Sequence, residues 1–287
     1  MRVGGLLIAL SLLTLIVLSS VIVGAFSDAP FDVDAARRFL ESQYVAEIGL
    51  LKSGEESGNV YVACDNLLAW KALELLGSEL AGRVKSRLED FNGGFNGLYE
   101  VLLGVPIDSI REGTEILLFR VEVDGKVYEV FYDLRNGSLI EDWVSYADLV
   151  VYHAVNSIVN GRMQDAEADW ATLWEMWDGV GFADREYKSK GVYETYNLGL
   201  AVYLARALGK HYDEKLDVLI SKMQAGNGGF YSEYGKDSVP CGRVSVGTTS
   251  IIVLAYSDLP LEVGRGPPPD PTSQIILLLI TVAILVL

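Results

Sequence analysis

Between residues 30 and 258 the hydrophobic positions recur mostly at intervals of three and four, the spacing that lines one face of an α-helix. Asp32 or Asp34 to Gln43 reads as a first helix, with Phe39, Leu40 and Tyr44 on its apolar side. Acidic residues in its first turn suit the helix dipole. A loop over Val45–Asn59 follows. Val60–Leu76 carries the stripe Leu67, Leu68, Ala72, Leu75, Leu76 and stops at Gly77. Further helices are predicted over Ser78–Glu89, Ser145–Val159, Met163–Trp177, Tyr193–Leu208, Asp213–Met223 and Val246–Tyr256.

One stretch has a different period. Leu117–Val123 alternates, Asp124-Gly125 follows, and Lys126–Tyr132 alternates again, which predicts a β-hairpin. Asn136-Gly137 is a second turn signal, with Ser138–Trp143 as a third strand. A small antiparallel hairpin or meander at residues 113–143 is thus set into a helical chain.

The helical units repeat. One unit reads Asp65-Asn66-Leu67, then Gly77, Asn92-Gly93-Gly94-Phe95 and Tyr99. A second reads Ala147-Asp148-Leu149, then Gly161, Gly181-Phe182 and Tyr187. A third reads Tyr196-Asn197-Leu198, then Gly209, Asn227-Gly228-Gly229-Phe230 and Tyr234. With one unpaired helix at each end, outer and inner helices alternate. The expectation is a mainly-α domain over residues 28–258, an α/α toroid of about four helical hairpins carrying the β insertion.

The ends are of another character. Residues 3–26 are uncharged and apolar or small, as in a secretory signal peptide or an N-terminal membrane anchor within residues 1–27. Small residues at Val23-Gly24-Ala25 suit cleavage after Ala25. Residues 259–274 hold a stiff Pro-rich linker, Gly264-Arg265-Gly266-Pro267-Pro268-Pro269-Asp270-Pro271. Ile275–Leu287 is an uncharged apolar tail, as a helix roughly 20 Å long against a hydrocarbon core of ~30 Å. These features place the main domain outside the cell, tethered to the membrane through one or both termini.

The formal net charge is −16. Such a surface repels phosphate backbones, which argues against a nucleic-acid partner. Two cysteines, Cys64 and Cys241, stand near the same end of the predicted fold. An oxidising compartment leaves a disulfide or two buried thiols open. Asn136-Gly137-Ser138 is a glycosylation sequon on a predicted turn. Cysteine and histidine spacing matches no metal site, and neither metal nor cofactor is expected.

In a ring of this kind the inner helices start at one end, so their first turns gather at one mouth. That gathers Tyr61, Asp65 and Asn66; Tyr146 and Asp148; Tyr193, Glu194, Tyr196 and Asn197; and Ser245, Thr248 and Thr249. Aromatics beside carboxylates and amides are the lining of a sugar site, with rings stacking on sugar faces and polar groups reading hydroxyls. Asp65 and Glu194 are candidates for the acid and base of glycoside hydrolysis. The same residue types also cap helices, a role that fits Asp65 and Thr248. His153, inside an apolar helix, and Trp170, Trp174 and Trp177, at helical spacing, read as packing residues.

Gln224-Ala225-Gly226-Asn227-Gly228-Gly229-Phe230 resembles the Gln-x-x-x-Gly-Gly-Phe repeat of terpenoid cyclases and protein prenyltransferases, which are α/α toroids. The Asp-rich acid motif of the former and the zinc ligands of the latter are absent, so the resemblance implies the fold alone. Six-hairpin glycosidases share the double ring, and their acidic, aromatic mouth is similar in kind. The chain also resembles membrane-anchored archaeal surface proteins of unknown function. These carry Asp-Asn-x-Leu-Ala (here Asp65–Ala69), Tyr-Ala-Asp-Leu (Tyr146–Leu149) and Met-Trp-Asp-Gly-x-Gly-Phe (Met176–Phe182). Their late Glu-Thr-Thr is Gly247-Thr248-Thr249 here. The combined expectation is a tethered extracellular toroid that binds or processes a glycan or envelope polymer at its mouth, with a non-catalytic surface module as the alternative.

Overall fold

The computed structural model describes residue 26, residues 28–54, residues 57–259 and residue 261. The expected membrane segments and most of the Pro-rich linker lie outside these residues. Phe26, Leu259 and Leu261, at the borders, pack on the core. Among the described residues no helix is long and apolar enough to cross a membrane.

The chain is helix-rich with small sheets. Its helices are α1 (Val33–Ser42), α2 (Ala63–Leu75), α3 (Leu80–Glu89), α4 (Ala147–Val159), α5 (Met163–Glu175), α6 (Arg185–Lys190), α7 (Tyr196–Leu208), α8 (Lys215–Met223) and α9 (Val246–Tyr256). Four of them pack in sequence, α2 on α9, α9 on α7 and α7 on α4, and the 3-10 segment Tyr99–Leu103 lies between α4 and α2. These four are buried on nearly all sides, as helices that are apolar all round must be. Four others bury one stripe: α3 on α2, α5 on α4, α8 on α7, and α1 against α9 and α2.

Glycine allows the closest of these approaches. A Cβ on Gly199, in the middle of α7, would stand 3.1 Å from Ile252 and 3.2 Å from Ile251 of α9. In the Gly-Gly-Phe loop Gly228 has φ +94°, and a Cβ there would lie 2.2 Å from the Ala35 carbonyl oxygen of α1. These loops therefore bring backbone against helix, a contact that a larger residue would block.

The strands are β1 (Tyr44–Val45), β2 (Leu50–Leu51), β3 (Val60–Val62), β4 (Thr114–Val123), β5 (Lys126–Leu134), β6 (Tyr193–Glu194), β7 (Phe230–Tyr234) and β8 (Pro240–Ser245). The hairpin β4–β5 turns at Asp124-Gly125 as expected. The third strand differs from the expectation. Ser138–Trp143 forms only a bridge at Leu139 and leads into a 3-10 turn at Trp143–Ser145. The free edge of β5 is taken instead by β3, in parallel, so the chain just before α2 is strand rather than helix. Two small sheets were not anticipated: β1 with β2, and β6, β7 and β8 in that order. In the latter Tyr193 and Glu194, expected in a helix, pair with Tyr234 and Glu233.

Candidate functional site

A cavity of about 290 Å³ opens where α2, α4, α7 and α9 begin. Asp65 and Leu68 come from α2, Asp148 and Tyr152 from α4, Glu194 and Tyr196 from β6 and α7, and Gly247, Thr248 and Ile251 from α9. Tyr99, Arg135, Ser232, Ser245 and Leu98 complete the wall. The volume sits at the lower end of the range of small-ligand sites.

The strand–helix junctions place these side chains. Extended backbone at Val62, Tyr146 and Ser245 precedes α2, α4 and α9, so each helix starts abruptly and its first turn faces the cavity. Within a helix, residues three or four apart share a face. Tyr152 therefore joins Asp148, Leu68 joins Asp65, and Ile251 joins Thr248.

The carboxyls differ in environment. Among the described residues nothing hydrogen-bonds Asp65. Burial, then the neighbouring Asp133, pushes its carboxyl from 3.8 to about 6. Asp148 is also raised to about 6, chiefly by burial, although it accepts the Leu149 N–H at 2.8 Å. Burial raises Glu194 as well, and Lys190, bonded to it at 2.8 Å, opposes that rise. Arg135 is held by Asp133 at 2.9 Å, and its charge partly offsets the rise at Asp148; among the described residues neither Asp65 nor Asp148 forms an ion pair. Burial pushes the hydroxyls of Tyr99, Tyr152 and Tyr196 well above their ordinary range, so all three are neutral donors with aromatic faces. A carboxyl near 6 is protonated often enough at mildly acidic pH to serve as a general acid. A neighbouring carboxylate that stays ionised supplies the base.

Asp65, Asp148, Glu194, Tyr196, Ser245 and Thr248, all anticipated from sequence, thus share one cavity. The other anticipated residues do structural work outside it. Asn66 clamps Leu51, accepting its N–H at 2.7 Å and donating to its carbonyl at 3.0 Å. Tyr61 is fully buried and packs on Tyr128. Tyr146 lies under the Arg185 guanidinium. Tyr193 donates to Asp178 at 2.5 Å and stacks between Tyr187 and Tyr234. Asn197 is buried. Thr249 accepts the Phe230 N–H at 3.0 Å and so ties the Gly-Gly-Phe loop to α9. Tyr99, Tyr152 and Arg135 were not anticipated. Tyr152 follows Asp148 by one helical turn, a spacing that identifies it, whereas Arg135 reaches the cavity only through the β hairpin.

Cys64 and Cys241 are free thiols, so the disulfide left open by the sequence is not formed. Cys64 is buried at the start of α2 beside Asp65, while Cys241 is part-exposed on β8 opposite Glu233. Asn136 of the sequon is exposed. His153 bonds Asp169 at 2.6 Å and stacks on Trp143, and Trp170, Trp174 and Trp177 cluster with Phe182. Among the described residues no group of three or more His, Cys, Asp or Glu could hold a metal ion.

Compared with family models, curated proteins and solved structures, the chain matches none of them.

Proposed function

We propose that this chain is a membrane-tethered extracellular α/α toroid that binds and cleaves a glycan or related envelope polymer in the cavity at its inner-helix starts. The observation that carries this reading is the lining itself. Unpaired Asp65 and Asp148, with carboxyls near 6, stand beside Glu194 and the rings of Tyr99, Tyr152 and Tyr196. Tyrosine faces stack on sugar rings, and a pair of carboxyls can divide the work of acid and base. Asp65 is the acid in this reading, because nothing holds its proton or its charge in place. Glu194, whose ionised form Lys190 favours through its bond at 2.8 Å, is the base. The packing cycle of α2, α9, α7 and α4, with α1, α3, α5 and α8 outside it, supports the toroid.

A second reading, a non-catalytic surface module, is favoured by β4. That edge strand exposes Ile116, Leu117 and Leu118 in succession, an arrangement open to a partner's strand.

The test incubates the full chain in detergent with purified envelope polysaccharides and counts new chain ends. Asp65→Asn and Glu194→Gln are each expected to lower the rate about 10²–10⁴-fold, the contribution of a positioned acid or base. No new ends with any polysaccharide would sink the hydrolase and leave the module.

A further inference from the structure

The cavity has neighbours. A second, of about 300 Å³, shares Asp65, Ser232 and Ser245 with it and is otherwise lined by Ser53, Gly54, Ser57, Val62, Arg243 and Val244. A third, of about 340 Å³, shares Arg243 and Val244 with the second and reaches Asn227 and Tyr231. Strands β7 and β8 form their common wall, with Ser232 on the first and Arg243 to Ser245 on the second.

We infer that the three cavities form one cleft for a linear acidic glycan, which runs from the tyrosine-lined pocket along β7–β8 and sets a carboxylate against Arg243. This inference rests on the glycan reading above and names the substrate class. The first and second cavities share Asp65, Ser232 and Ser245, and the second and third share Arg243 and Val244, so a ligand unit bound at Asp65 extends along the strand pair in this proposal and the cleft suits a chain rather than a single sugar. Its chemistry changes along that path. The first cavity holds carboxyls, neutral tyrosines and Arg135, which Asp133 pairs, whereas beyond Asp65 the charged residue lining the second and third, among the described residues, is Arg243. The Arg243 backbone is fixed by its N–H to the Ser232 hydroxyl at 3.1 Å. Its exposed guanidinium pairs with no carboxylate among the described residues. A guanidinium offers a planar fork that a carboxylate accepts bidentately. On a chain of net charge −16 an acidic polymer is repelled in general, so a local cation in the cleft is what would admit one.

The test measures binding of oligogalacturonates, from the disaccharide to the hexasaccharide, to the full chain in detergent. Neutral galactan oligomers of the same lengths serve as the comparison. Affinity is expected to rise beyond the disaccharide and to favour the acidic series. Arg243→Glu should weaken the acidic hexasaccharide about tenfold or more and leave the neutral one unchanged. Equal binding of both series by wild type and Arg243→Glu, or affinity already complete at the disaccharide, would overturn the cleft while binding sensitive to Asp65→Asn kept the glycan reading. No binding of either series would overturn both.

Discussion

Gln224 and Asp32, 192 residues apart, hold each other through paired hydrogen bonds. The Asp32 N–H donates to Gln224 Oε1 at 2.9 Å, and Gln224 Nε2 donates to the Asp32 carbonyl at 2.8 Å. The same Nε2 donates to the Gly228 carbonyl at 3.0 Å. One amide thus joins the start of α1 to the end of α8 and the last Gly-Gly-Phe loop.

Gln224→Ala should therefore destabilise the fold by about 1–3 kcal/mol, since it leaves one N–H and two carbonyls to find other partners. Gln224→Glu is expected to do more harm at neutral pH than at acidic pH, because it places a carboxylate against two carbonyl oxygens. Urea unfolding of both variants at two pH values checks this. Equal stability of wild type and Gln224→Ala would mean that this junction is held by packing alone.

The two thiols make a second prediction. Under native, non-reducing conditions an alkylating reagent should label Cys241 and spare Cys64 until the chain is unfolded. Burial raises both thiols, Cys64 to about 12, so labelling of Cys241 should be slow and quicken with pH. If neither cysteine is labelled until reductant is added, the two are joined after all.

Much of the helical order was legible because a buried helix must repeat its apolar face. The predicted Val246–Tyr256 coincides with α9, and α1, α4 and α8 lie within two residues of their expected starts. The sheets were less legible. Val60-Tyr61-Val62 continues an apolar run into α2, and only pairing with β5, some seventy residues on, makes it a strand. Tyr193-Glu194 and Pro240–Ser245 are likewise strands by virtue of β7. At the site, the starts of the inner helices gave Asp65, Asp148 and Thr248. They gave Tyr61, Asn66 and Thr249 with equal force, although those neighbours point into the packing instead. Residues adjacent on a helix differ by about 100° in direction, so the first turn of each helix divides between cavity and core. Sequence names the turn, and only the rotation of the helix decides which residue faces the cavity.

That division has a consequence for pH dependence. Asp65 and Asp148 are raised from 3.8 to about 6, so the folded chain holds their protons more tightly than the unfolded chain does. Their contribution to stability is therefore fully present below about pH 4 and is lost as pH rises through about 6. Asp65→Asn and Asp148→Asn keep the shape and remove the charge. Each should be more stable than wild type at pH 7.5, by about 3 kcal/mol, and indistinguishable from it near pH 3.5. Thermal or urea unfolding across that range reads the difference directly. Carboxylates held at a cost to the fold are what the proposed hydrolase requires. A variant less stable than wild type at pH 7.5 would show that these carboxylates are held by favourable partners, and would remove the electrostatic support for an acid at Asp65.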